Sequence, residues 1–124
     1  MVETFDLNDL VQRDGKYFLK FTDVPFTGDV TDAFWEGKLL DGKKDGPWLA
    51  FYDSGQLQMK DTYKKGTLDG EHLDYFENGL LQEKGFYRSD YKEGCWVCFH
   101  ENGAIQFEGS FHRGEYDGPW RYLH

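Results

Sequence analysis

The chain has 124 residues, the size of a single domain, with 14 Lys and Arg against 23 Asp and Glu and a net charge of -9. That acid excess excludes a general nucleic-acid binder, which needs a basic face for phosphate, and argues equally against adhesion to an anionic membrane leaflet. No apolar run approaches the ~20 residues of a membrane span, and the opening MVETFDLNDL carries neither the basic nor the apolar region of a secretory signal, so a soluble, cytoplasmic protein is expected.

The apolar residues are unusual in kind. The 11 Phe, 8 Tyr and 4 Trp together outnumber the 18 Leu, Ile and Val, and 15 Gly stand beside only 3 Pro. Each aromatic side chain buries roughly 150–250 Å², so a few per structural unit hold a small core. Many glycines with many aromatics point to short strands and tight turns, and the composition reads as all-β.

In chain order, Leu10 to Leu19 reads as a hairpin around Asp14-Gly15, and residues 1–20 are expected to form an N-terminal capping hairpin. The next unit, residues 21–45, looks like a truncated repeat. Gly28 to Gly37 is nine residues, as in the later units, but Gly37 to Gly42 is five where Gly55 to Gly66 is eleven. Six residues are therefore expected to be missing from its second strand; an even number preserves which side chains face which side.

Three full repeats follow, at 46–69, 70–93 and 94–117, with a terminal half-repeat at 118–124. Gly46, Gly70, Gly94 and Gly118 are spaced by 24 residues, each after an acid (Asp45, Asp69, Glu93, Asp117) and two before Trp48, His72, Trp96 or Trp120. The first strand of each full repeat, such as Trp48–Tyr52, runs into the turn Asp53-Ser54-Gly55, Glu77-Asn78-Gly79 or Glu101-Asn102-Gly103. Asn-Gly here predicts a type I′ hairpin turn. Leu57, Met59, Asp61 and Tyr63 then alternate with Gln58, Lys60 and Thr62 along a second strand, and a tight connection such as Lys65-Gly66 leads onward. Gly85 and Gly109 within second strands are expected to let an aromatic lie across the backbone. The predicted architecture is a repeat array of stacked antiparallel β-hairpins forming an elongated, curved meander sheet.

The pattern Asp-Gly-Pro-Trp-x-x-Phe-Tyr-x-Ser-Gly-x-Leu followed by Tyr-x-x-Gly resembles the MORN-variant repeat. With the lead-in Leu10–Leu19 and Pro25-Phe-Thr-Gly28, the chain resembles the bacterial YwqK-type antitoxin family from about Asp9 to Tyr122. The resemblance implies a non-enzymatic surface for binding proteins or, in some eukaryotic relatives, phospholipids, and the antitoxin label implies a toxin partner. His72 in place of tryptophan and Ser89-Asp90 in place of a basic-Gly pair depart from the pattern.

Catalytic and metal chemistry find little support. Cys95-Trp-Val-Cys98 falls on one strand, where residues three apart point to opposite faces roughly 10 Å apart, beyond disulfide reach. His100 and His124 share a repeat position but lack a third ligand. The acids before the glycines lack the ligand spacing of a calcium loop and fit turns instead. Ser54, Ser89 and Ser110 lie outside any nucleophile-elbow sequence, and no phosphate-binding loop is present. No catalytic residue, metal ligand or cofactor is expected.

The aromatic faces are the informative feature. One face of the first strands carries Trp48 and Tyr52, His72 and Phe76, Trp96 and His100, and Trp120; the other is apolar too. An antiparallel sheet with one wet face should alternate apolar with polar, so either the sheet curls until both faces are partly covered or one aromatic row stays open to a partner. Trp48, Tyr52, His72, Phe76, Trp96, His100 and Trp120 are the candidate partner-binding residues. The expected function is a protein-interaction module of antitoxin or immunity type that masks a basic partner, with a phospholipid-associated scaffold as the alternative. The open C-terminal edge strand is also a candidate for self-association.

Overall fold

The computed structural model describes residues 4–122. Among them it contains a short 3-10 turn at Leu7–Asp9 and sixteen strands. They are β1 (Thr4–Phe5), β2 (Leu10–Arg13), β3 (Lys16–Leu19), β4 (Gly28–Thr31), β5 (Trp35–Leu40), β6 (Lys43–Lys44), β7 (Gly46–Phe51) and β8 (Leu57–Lys64). These are followed by β9 (Thr67–Leu68), β10 (Gly70–Tyr75), β11 (Leu81–Arg88), β12 (Tyr91–Lys92), β13 (Gly94–Phe99), β14 (Ile105–His112), β15 (Glu115–Tyr116) and β16 (Arg121–Tyr122). Fourteen of them form one meandering sheet, in the order β1-β4-β5-β7-β8-β10-β11-β13-β14-β15, with β6, β9, β12 and β16 pairing beside that path. Every pairing is antiparallel except β1 with β4. The all-β hairpin array read from the 24-residue period is the architecture observed.

The hairpin β2–β3 forms a separate two-stranded sheet. It is tied to the array by Tyr17 N–H donating to the Gly42 carbonyl at 2.7 Å and by Phe26 N–H donating to the Tyr17 carbonyl at 2.9 Å. Leu10 from this hairpin joins Phe26, Val30, Leu39 and Trp48 in the buried core, with Phe5, Leu7, Tyr17, Leu19, Trp35 and Tyr63 packed around them. The hydrophobic core therefore sits at the N-terminal end of the array. Farther along, packing is carried by aromatic edges and stacks.

The turn chemistry is the reverse of the expectation. A type I′ turn needs positive φ at both central residues, yet of Asn78 and Gly79 only Gly79 has it, at 88°. Gly79 N–H donates to the Phe76 carbonyl and Phe76 N–H donates to the Leu80 carbonyl, both at 2.9 Å. This is a three-residue loop, a type I turn with glycine at the bulge position. Asparagine serves there through its side chain: Asn78 Oδ1 accepts from Leu80 N–H at 2.9 Å, and Nδ2 donates to the Glu101 carbonyl of the next turn at 2.9 Å. The type I′ geometry belongs to the connections between units, as at Lys65 (φ 50°) and Gly66 (φ 85°).

The first unit is shortened elsewhere than predicted. Gly37 pairs with Val30 in mid-strand, and the turn is closed by Asp32, whose N–H donates to the Trp35 carbonyl at 2.9 Å. Gly37 thus corresponds to Asp61, Gly85 and Gly109, not to the turn glycines. The six missing residues come from the turn end of both strands, and even parity keeps Val30 and Leu39 facing inward.

Candidate functional site

Three of the four acids that precede a repeat glycine reach into the next repeat. Asp45 Oδ1 accepts from Lys65 N–H at 3.1 Å, Asp69 Oδ1 from Ser89 N–H at 3.4 Å, and Glu93 Oε2 from Arg113 N–H at 3.0 Å. Alongside, Gly66, Asp90 and Gly114 donate their N–H groups to the carbonyls of Lys44, Leu68 and Lys92 at 2.8–2.9 Å. This edge stitches repeat to repeat. Ser89-Asp90 holds its place in the series because Asp90 adopts φ 71° and its Oδ1 accepts from Leu68 N–H at 2.7 Å.

The tryptophans are structural. Trp48 is 1% exposed and lies over Gly37; Trp96 is 2% exposed and lies over Gly85. A Cβ at Gly37, Gly85 or Gly109 would stand 2.2, 2.1 or 2.3 Å from the ring of Trp48, Trp96 or Trp120. Those glycines admit the ring as the sequence suggested. Trp48 Nε1 donates to the Lys38 carbonyl at 2.9 Å and Trp96 Nε1 to the Phe86 carbonyl at 3.2 Å. Lys44 Nζ caps the Trp48 ring at 5.0 Å and Lys92 Nζ caps Trp96 at 4.6 Å. Burial of Lys44 pushes its pKa down, with Asp61 opposing that shift. Trp120 is half-buried against Phe111 and Tyr116. Of the seven residues expected to meet a partner, Trp48, His72 and Trp96 therefore offer no open face. The pattern misled because both sheet faces are apolar in sequence, and only the fold decides which face closes.

His72 stands where the other repeats have tryptophan, and Asp61 stands where they have glycine. Both are 7% exposed. His72 Nδ1 contacts Asp61 Oδ1, while Nε2 lies 3.1 Å from Asp74 Oδ2 and 3.3 Å from Glu83 Oε1. The imidazole stacks on Trp96 at 5.4 Å, with Tyr87 edge-on to both. Burial alone would lower the His72 pKa, but the hydrogen bonds with Asp61, Asp74 and Glu83 outweigh it and lift the value to about 12. The same contact with His72 pulls Glu83 down against its own burial. Cys98 Sγ donates to Glu83 Oε2 at 3.4 Å, and burial followed by the Glu83 charge pushes that thiol up to about 12. Sequence reasoning weighed His100 with His124 and missed this cluster. His124 lies outside the described residues.

Tyr52, Phe76 and His100 are placed differently. They lie half-exposed at the hairpin-turn end and line two open grooves that recur with the repeat. The first, of about 620 Å³, is lined by Phe34, Phe51, Tyr52, Asp53 and Glu77 among others. The second, of about 280 Å³, has Phe76, Phe99, His100 and Glu101 in its wall, with Glu83 and Cys98 at its inner side. Both linings combine aromatics with carboxylates, and neither contains a lysine or arginine.

Residues 44–65, 68–89 and 92–113 each match the model of the MORN repeat variant, and together they cover more than half of the chain. The chain belongs to the MORN repeat variant family. No curated protein matches it. MORN repeats mediate protein or membrane interactions and are not catalytic units, which agrees with a surface built from repeated grooves. Among the described residues no helix is long and apolar enough to cross a membrane. The geometry that two of these MORN units share at Trp48 and Trp96, a tryptophan over a glycine with a lysine over the ring, is a packing device.

Proposed function

We propose that this MORN protein is a non-enzymatic binding module whose turn-edge grooves receive a basic segment of a protein partner. The single observation that supports this reading most strongly is the lining of the two grooves: exposed aromatic surface beside Asp53, Glu77 and Glu101, with no cation to repel an arginine or lysine. Aromatic faces bind guanidinium and ammonium groups, and the carboxylates steer them inward. The net charge of -9 adds long-range attraction. Phe34, 49% exposed and not singled out from the sequence, extends the first groove.

Masking a basic protein in this way fits an antitoxin or immunity-type role, the role that the likeness to YwqK-type proteins implies. The phospholipid alternative finds less support. Lys44 and Lys92 are committed to tryptophan rings, and Lys64, Lys65 and Arg113 stand on the opposite edge among Asp45, Asp69 and Glu93.

An affinity pull-down from source-cell lysate at low and high salt tests the proposal. One dominant basic protein is expected, weakened by salt and lost when Phe34, Tyr52 and Phe76 become Ala. Retention of the same protein by a folded triple variant would refute the groove as its site.

A further inference from the structure

Four positions that are apolar or glycine in the other repeats turn polar together around one point. Asp61 corresponds to Gly37, Gly85 and Gly109, and His72 to Trp48, Trp96 and Trp120. Asp74 corresponds to Ala50 and Cys98, and Glu83 to Trp35, Met59 and Phe107. Asp61 or His72 alone would put an unmatched polar group into a buried slot, at the cost that burial without partners carries, whereas Asp74 and Glu83 stay partly exposed. Made together, the four changes bring an imidazole and three carboxylates into contact.

The charges are not paired one to one. Three carboxylates face one imidazole, and among the described residues no lysine or arginine forms an ion pair with any of the three. Where the neighbouring repeats place Lys44 and Lys92 over the tryptophan, the corresponding residue is Leu68. Lys44 and Lys92, held over the flanking tryptophans, act on Asp61 and Glu83 through space without pairing with them directly.

We propose that His72 Nε2, Asp74 and Glu83 form a binding site for one divalent transition ion of the zinc class. One ligand atom from each residue lies within 4.8 Å of the others, and Nε2 is 3.1 and 3.3 Å from the two carboxylate oxygens. A tetrahedral ion with bonds of about 2.0–2.1 Å holds its ligands roughly 3.3 Å apart. Asp61 against Nδ1 is the carboxylate partner that orients a ligating histidine and keeps the proton on Nδ1, leaving Nε2 for the ion. Cys98 hydrogen-bonds the second oxygen of Glu83 and steadies that ligand from outside. An imidazole with two oxygens suits zinc or cobalt better than calcium or magnesium, which take oxygen shells. Glu83 and Cys98 also line the second groove, so one of the three ligands borders open space. Binding displaces the Nε2 proton to solvent.

The test uses the full chain stripped with a chelator and titrated with Zn²⁺ and with Co²⁺ by calorimetry. One ion per chain is expected, with Asp74→Asn and Glu83→Gln each weakening affinity roughly tenfold or more while circular dichroism stays unchanged. His112→Ala, at the exposed histidine beside Glu93, should bind as the parent does. On the parent itself, long-range ¹H–¹⁵N NMR of the histidine rings should show Zn²⁺ moving His72 Nε2, a readout that does not depend on how the variants fold. Absence of saturable binding, or a Zn²⁺ effect confined to His100, His112 or His124, would overturn the proposal.

Discussion

His72 contacts Asp61 at the place where Trp48 covers Gly37 and Trp96 covers Gly85. The two substitutions are one event structurally, because each makes room for or supplies what the other needs. A tryptophan over Asp61 would meet a side chain where the repeat allows none, and a histidine over glycine would lack its carboxylate. His72→Trp alone is expected to cost about 2–4 kcal/mol by urea unfolding, through a clash and an unpartnered buried Asp61, and Asp61→Gly alone should cost less, because His72 keeps Asp74 and Glu83. The double variant should be more stable than either single one. Additive losses would show that the pair is not coupled.

The glycines under the rings bear the same logic without charge. Gly85→Ala places a Cβ 2.1 Å from Trp96 Cδ2, and overpacking of this severity costs about 3 kcal/mol or more. Gly94→Ala meets nothing within 4 Å and loses only from its φ of 75°, for about 1 kcal/mol. Thermal unfolding of the two variants should rank them in that order.

The 24-residue period carries the hairpin array, and the hairpins follow from it. Three features were not legible. The type I turn at Asn78-Gly79 depends on side-chain bonding by Asn78, which the dipeptide does not reveal. The place of Gly37 under Trp48 was hidden because two glycines per repeat allow two alignments of the shortened first unit. Burial of Trp48 and Trp96 was unreadable because Leu49 and Val97 make the opposite face apolar as well. The His72 cluster did leave a trace, since Asp61, His72, Asp74 and Glu83 all break the pattern, but only strand pairing shows that the breaks meet.

The two cysteines should separate chemically. Cys95 is exposed, whereas Cys98 is partly buried beside Glu83 with its pKa raised to about 12. The thiolate is the reactive form, so iodoacetamide at pH 8 is expected to alkylate Cys95 first and Cys98 only slowly. Mass spectrometry of timed peptides checks the order; equal rates would remove the Cys98–Glu83 contact from the account.

The pH dependence of the metal-free protein follows from the raised His72 pKa. A group whose folded value, about 12, exceeds its ordinary 6.5 contributes its full stability below 6.5 and loses it as pH rises toward 12. Glu83, held below its ordinary 4.5, works oppositely and loses its contribution as pH falls below that value. Stability of the parent should therefore decline from pH 6.5 to 10 more steeply than that of Asp61→Gly/His72→Trp, followed by melting temperature. Parallel slopes would contradict a charged His72.

The most direct test of the central claim is an NMR titration of the full chain with an Arg- and Lys-rich peptide. The account expects salt-sensitive shifts concentrated at the groove residues Phe34, Tyr52, Asp53, Phe76, Glu77, His100 and Glu101. Shifts centred on the opposite edge around Lys43, Lys65 and Arg113, or none at low salt, would contradict it.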